Sequence, residues 1–191
     1  MINQDERIRE LEAQVHELER DLIHDTLTGL KTRAFFEEEL GVYLEALAHS
    51  NNGKRKDWFG FKNVSIIFFD LDDFKKINDT YGHDIGDDVL KAVSKIIQSS
   101  LRSGDTAARW GGEELVVSLL GAGNDDAYTK AEEIRRKIEV LNIEKVPDLE
   151  ITVSGGVASV QKNISVLELI KCADEALYTS KQEGRNRITR A

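Results

Sequence analysis

Val64 to Phe69 is a short apolar run that ends directly on Asp70-Leu71-Asp72-Asp73. A run this short and unbroken by charge reads as a buried strand. It constrains the fold more than any other segment, because a buried strand needs a sheet around it and layers over that sheet. It also poses a chemical problem. The strand brings negative charge to the rim of the sheet, at a desolvation cost that a hard cation would relieve. A strand-terminal turn whose aspartates cap a helix is the plainer alternative, and the run alone does not decide between them.

The segments around it give the architecture. Ile8, Leu11, Val15, Leu18 and Leu22 follow the a/d spacing of a heptad seam, with Arg7 at g placed to reach Glu12 at e of a partner. Two heptads are marginal alone, so residues 1–24 read as the end of a dimerising coiled-coil stem and 25–191 as the globular domain. Thr32 is the expected N-cap of a helix over 33–49. Residues 50–63, with Lys54-Arg55-Lys56, read as a solvated loop. Beyond the buried strand come a helix over 84–101 and strands near 106–110 and 114–120 that make a hairpin around Gly111-Gly112. A helix over 126–141, a strand over 150–158, a helix over 165–183 and a short strand near 186–190 complete the chain. The order β-α-β-β-α-β with extra helices predicts an α+β fold of ferredoxin-like type, the polymerase and adenylyl-cyclase palm. Its central antiparallel sheet is flanked by helices and preceded by the coiled-coil helix.

Charge and composition exclude some classes. A formal charge of −9 argues against bulk nucleic-acid binding, which needs a basic footprint. It leaves a nucleotide substrate open, because a metal ion and a few placed cations neutralise a triphosphate locally. Cys172 is the one cysteine, so there is neither a disulfide framework nor a cysteine zinc site. No apolar run approaches a membrane span and the first residues are charged, which makes the cytoplasm the expected compartment.

A second polar patch, Trp110-Gly111-Gly112-Glu113-Glu114-Leu115, falls at the hairpin tip. Glycines there permit positive φ and leave no side chain, so a ligand can lie against the backbone. An ordinary hairpin with solvated glutamates has the same sequence signature. The patch gains weight from Asp70, a carboxylate at a strand end that can face it across an antiparallel pair and share Mg²⁺ with it. A third patch is Arg102-Ser103-Gly104-Asp105. A helix C-terminus stopped by Gly104, with Arg102 near the negative end of its dipole, is the plain reading of these residues.

Together these residues resemble the GGDEF family of diguanylate cyclases, whose signature reads GGEEL at 111–115 here. Asp25-Thr26-Leu27-Thr28-Gly29-Leu30 resembles the family's N-terminal turn. Asp70-Leu71-Asp72 with Lys75, and Asn78-Asp79-Thr80-Tyr81-Gly82-His83-Asp84-Ile85-Gly86-Asp87, resemble its metal and guanine block. Lys181, Arg185 and Asn186 resemble its C-terminal phosphate-binding segment. The likeness runs from about residue 25 to 190. It departs at Thr32, where the family commonly has Asn, and at Leu115, where it commonly has Phe.

The resemblance implies roles. Mg²⁺, with Mn²⁺ as an alternative, would be held by Asp70 and Glu113, with the Leu71 carbonyl assisting and Glu114 close by. Glu113 would be the general base, and Asp70, Glu113 and Lys75 the catalytic set. Asn78 and Asp87 would hydrogen-bond the guanine of GTP, with His83, Gly111 and Gly112 also at the substrate. Lys75, Lys181 and Arg185 would meet phosphates, aided by the N–H groups of Asp73 and Phe74. Arg102 and Asp105 would bind the product, cyclic di-GMP, as an inhibitory RxxD site. The implied reaction condenses two GTP into cyclic di-GMP and two pyrophosphate between the facing domains of a homodimer. An upstream sensory domain in a longer parent is implied as well, with no nucleic-acid partner and no membrane segment of its own. A nucleotide sensor without turnover, a coiled-coil adaptor and a different base specificity are the competing readings.

Overall fold

The structure, a computed structural model, describes residues 7–12, 14, 22–51, 61–161 and 164–191. At its centre is β2 (Val64–Leu71), buried along its whole length. It lies between β4 (Glu114–Leu120) and β5 (Val153–Ser159) and is antiparallel to both. β3 (Thr106–Arg109) pairs antiparallel with β4, which gives the inner order β3-β4-β2-β5. That is the ferredoxin-like order of a βαββαβ unit. Two short strands extend it: β1 (Lys31–Thr32) joins β3 and β6 (Ile188–Arg190) joins β5, both in parallel. The sheet is therefore antiparallel at its centre, as expected, and mixed at its edges, which the sequence reading did not foresee.

Helices cover both faces, which is why β2 is apolar at successive positions rather than at alternate ones. On one face Ile67, Phe69 and Leu71 share a core with Phe74 and Ile77 of α2 (Phe74–Tyr81), Val89 and Val93 of α3 (His83–Ser100), and Ala131 and Ile134 of α4 (Asn124–Glu139). On the other, Val64, Ile66 and Phe68 meet Phe36 and Leu40 of α1 (Arg33–Asn51) and Leu169 and Ala173 of α5 (Val166–Gln182). The period of two that sorts these residues also decides where Asp70 points: it shares parity with Phe68, on the α5 side.

Local chemistry sets the helix starts. Thr32 Oγ1 accepts from the Phe35 N–H at 3.3 Å, the expected cap, and donates to the Leu22 carbonyl at 2.8 Å. Ser165 and Glu168 cap α5 reciprocally: the Glu168 N–H donates to Ser165 Oγ at 3.2 Å and the Ser165 N–H to Glu168 Oε2 at 2.9 Å. The expected element bounds fall within three residues of those observed. Two elements were not expected, the two-residue β1 and the helix α2. The eight residues of α2 carry only two buried anchors, and Gly82 at φ +87° breaks it from α3.

Of the stem, residues 7–12, 14, 22 and 23 are helical, and Val15 and Leu18 lie outside the described residues. Ile8, Leu11 and Leu22 are exposed. Arg7 pairs with Glu10 of its own helix at 2.7 Å. Lys54-Arg55-Lys56 also lies outside the described residues.

Candidate active site

β2 ends where the polar groups gather. Asp70 stands opposite Glu114 on β4 and Ser154 on β5, and side chains so paired lie about 5 Å apart. Glu113 immediately precedes β4, and its carbonyl accepts from the Leu71 N–H at 3.4 Å. The Asp70 side chain is 7% exposed. Burial raises its carboxyl above the ordinary aspartate value, and Lys181 offsets that only in part. Burial, and after it the Asp70 charge, raises Glu113 and Glu114 too. From α5, Lys181 places Nζ 2.7 Å from Asp70 Oδ2, and just beyond the helix Arg185 Nε stands 3.6 Å from Asp73 Oδ1.

The site therefore sets three mutually repelling carboxylates against one lysine at short range. Among the described residues no three acidic, histidine or cysteine side chains are drawn into a ready cage; Asp70 faces Lys181 instead. An excess of oxygen donors over cations nonetheless fits a hard divalent ion by its donor chemistry.

The hairpin tip corrects one expectation: neither Gly111 nor Gly112 has positive φ. What their missing side chains provide is room. A Cβ on Gly111 would stand 2.5 Å from Glu114 Oε2, and one on Gly112 would meet nothing within 4 Å. Arg109, a residue the sequence reading missed, holds this tip from behind. Its Nη2 donates to the Gly112 carbonyl at 2.8 Å and its Nε to the Gly111 carbonyl at 3.1 Å. Its Nη1 reaches Asp25 Oδ2 at 3.2 Å. Partial burial pushes the Asp25 carboxyl up, but hydrogen bonds from Thr28 and then Arg109 outweigh it and leave the pKa lowered. The turn after the stem is thus fastened to the Gly111-Gly112 hairpin.

The expected guanine residues gather at the other end of α2. Asn78 lies in its last turn, while His83 opens α3 and Asp87 follows one turn later. Asn78 packs on Gly86, where a Cβ would stand 1.9 Å from Asn78 Oδ1. Gly86 thus leaves room for the Asn78 side chain. At the near end, Asp73 opens α2 with φ +53° and makes no side-chain cap, Phe74 is buried and Lys75 exposed. An open cleft of about 460 Å³ touches Glu114 and Lys181 along α5 but not Asn78, His83 or Asp87.

Arg102 and Asp105 turn out unlike each other. Asp105 is 4% exposed in its side chain and accepts from the Leu120 N–H at 3.2 Å and the Arg102 N–H at 3.3 Å, whereas Arg102 is 67% exposed. Arg102 Nη2 also donates to the Leu120 carbonyl. Asp105→Ala strands two backbone donors, so it should cost about 1–3 kcal/mol. Arg102→Ala should cost at most about 0.5 kcal/mol, as for most exposed positions. Urea melts of the two variants check this, and equal midpoints would refute the structural role of Asp105.

Known proteins resemble this chain in sequence and in fold. The family model described as diguanylate cyclase, GGDEF domain, matches residues 22–187. Diguanylate cyclase A of Treponema denticola is 41% identical over 167 residues, which cover 86% of this chain and 43% of that protein. DgcM of Escherichia coli K12, also a diguanylate cyclase, is 39% identical over 176 residues, covering 92% and 40%. The chain spans less than half the length of these curated relatives. Among solved structures, the coiled coil and GGDEF domain of DgcB from Caulobacter crescentus, in complex with c-di-GMP, superposes with a TM-score of 0.82 at 32% identity, covering 97% of this chain and 94% of that one. The active GGEEF domain of a diguanylate cyclase from Vibrio cholerae gives a TM-score of 0.68 at 30% identity, covering 81% and 95%. With the family model matching most of its length and these relatives alike in sequence and fold, the chain belongs to the GGDEF family.

Proposed function

We propose that the chain is a diguanylate cyclase that condenses two GTP into cyclic di-GMP and two pyrophosphate, with Mg²⁺, or Mn²⁺ in its place. The observation that carries this is the pairing of Asp70 with Glu114 across β2 and β4, with Glu113 next to it at the head of β4 and Lys181 and Arg185 brought to the same rim. Asp70 and Glu113 would hold the ion, beside the Leu71 carbonyl and Glu114. When bound, it would neutralise charge at the α-phosphate and lower the pKa of the attacking 3′-hydroxyl.

The chain's own residues account for the rest. α2 is eight residues and so about 12 Å long, a suitable rest for one nucleoside triphosphate. Its phosphates would lie at the helix N-terminus, where the N–H groups of Asp73 and Phe74 have no partner within the helix. Its guanine would lie at the Asn78–His83–Asp87 corner. Asp87 can accept from both N1–H and N2–H of guanine, and adenine offers neither in that arrangement. Glu113, its pKa raised by burial and by Asp70, would take the proton of the 3′-hydroxyl at a carboxylate oxygen. Lys75, Lys181 and Arg185 would neutralise the triphosphate and the departing pyrophosphate.

Each domain would hold one GTP, so two must face each other as a homodimer, and the exposed Ile8 and Leu11 supply an apolar seam for it. Arg102 and Asp105 would bind the product as an inhibitory site; that DgcB is in complex with c-di-GMP supports binding of that product by this fold. The domain would work in the cytoplasm below a sensory domain; among the described residues no helix is long and apolar enough to cross a membrane.

Incubation with GTP and Mg²⁺, with products identified by mass spectrometry, tests the reading. One cyclic di-GMP for two pyrophosphate is expected, with negligible use of ATP. GTP that binds and is recovered intact would make the domain a sensor instead.

A further inference from the structure

Asp72 lies two residues beyond Asp70, yet its carboxylate turns to other partners. It is 7% exposed, and accepts from Thr152 Oγ1 at 2.8 Å, Ser154 Oγ at 2.7 Å and the Asn186 backbone N–H at 3.0 Å. A buried carboxylate satisfied by two hydroxyls and a backbone N–H is an anchor. The third donor bears on the site because it belongs to the turn that follows α5. There Arg185 and Asn186 have φ of +65° and +45°, and Asp73, which Arg185 meets, has +53°. Among the described residues these are the three non-glycine residues with positive φ. Such backbone persists only where its surroundings over-determine it.

The Asn186 side chain supplies a second fastening. Its Oδ1 accepts from Arg135 Nη1 and its Nδ2 donates to Glu139 Oε1, both at 2.7 Å. Arg135 is itself held between Glu132 at 3.2 Å and Glu139 at 3.0 Å. On the near side the Arg185 N–H donates to the Ser180 carbonyl at 3.1 Å. The turn is thus pinned from Asp72 at the end of β2, from α4 and from α5 together.

We infer that Asp72 and Asn186 are positioning residues: they hold the Arg185–Asn186 turn in its left-handed form, and so keep the Arg185 guanidinium at the phosphate side of the site. Neither touches substrate. The inference rests on the proposed GTP reading and on Arg185 as a phosphate contact.

The test uses the full chain with GTP and Mg²⁺, and a fluorescent methylanthraniloyl-GTP for direct binding. Asn186→Gly keeps a left-handed backbone without steric cost and removes both side-chain links. KM for GTP should rise about tenfold, with Kd for the fluorescent analogue following it. Arg185→Ala should raise both at least as far and lower kcat as well, and the double variant should be no worse than Arg185→Ala alone, because one residue acts through the other. Asp72→Asn, which keeps an acceptor for the Asn186 N–H, should restore the KM lost in Asp72→Ala; where Asp72→Ala does not fold, Asn186→Gly decides. A purely structural role would lower Tm and the active fraction, hence kcat, while leaving KM and Kd alone, and that result overturns the inference, as does additivity in the double variant. If the wild type makes no cyclic di-GMP, the proposed function fails and the inference falls with it. If Arg185→Ala raises KM and Asn186→Gly does not, the positioning role fails alone.

Discussion

Asp70→Asn and Glu113→Gln should each slow cyclic di-GMP synthesis by roughly 10³-fold and leave the fold intact. Each change keeps the shape of the side chain and removes one negative charge from the rim where Asp70, Glu113 and Glu114 crowd together. The electrostatics fix the sign of the accompanying stability change. All three carboxyls have raised pKa values in the folded protein, with burial as the leading cause. Their charged forms therefore oppose folding at neutral pH, and the opposition disappears as pH falls through the raised values. Removing one charge at pH 7 should thus hold or raise the Tm of the nucleotide-free protein, Glu113→Gln more clearly, since Asp70→Asn also deprives Lys181 of its partner. Activity and thermal melts on the same preparations check both halves. Inactive variants with lowered Tm would mean that these carboxylates support the fold, and near-wild-type synthesis would remove them from the chemistry.

The centre of this arrangement is legible in the sequence because it is local. An apolar run ending in aspartates, and two glycines followed by two glutamates, each need only a few residues to be read, and strand pairing then sets Asp70 opposite Glu114. What stayed hidden depends on distance along the chain. Arg109 and Asp25 are 84 positions apart, and nothing beside either residue announces the other. In Asp70-Leu71-Asp72-Asp73 the three aspartates look alike, and only tertiary partners separate them: Asp70 takes Lys181, Asp72 takes two hydroxyls and the Asn186 N–H, and Asp73 opens α2. Asp105 is a further case: besides its spacing from Arg102, its carboxylate accepts from the backbone N–H groups of Leu120 and Arg102, partners that only the fold reveals.

Gly156→Ala should be the most damaging glycine-to-alanine change among the described residues. Gly156 lies on β5 in register with Phe68 and Thr189, under α5. A Cβ there would stand 2.0 Å from the Ala173 carbonyl oxygen, 2.3 Å from the Leu177 nitrogen and 2.9 Å from the Ala176 carbonyl carbon. All three are helix backbone, so no rotamer can relieve the clash and α5 must move off the sheet. A loss of about 4 kcal/mol or more and a Tm lower by roughly 10 °C are expected. Gly155→Ala is the control. Its closest obstacles are the side-chain ends Ile188 Cδ1 at 2.7 Å and Phe69 Cδ1 at 3.1 Å, which can turn aside, so about 1–3 kcal/mol is expected. The consequence reaches the site, because α5 carries Lys181 to Asp70 and leads into the turn that presents Arg185. Where Gly156→Ala still folds, KM for GTP should therefore rise along with the loss of stability. Equal melting temperatures for the two variants would show that α5 does not bear on β5 through its backbone at this point.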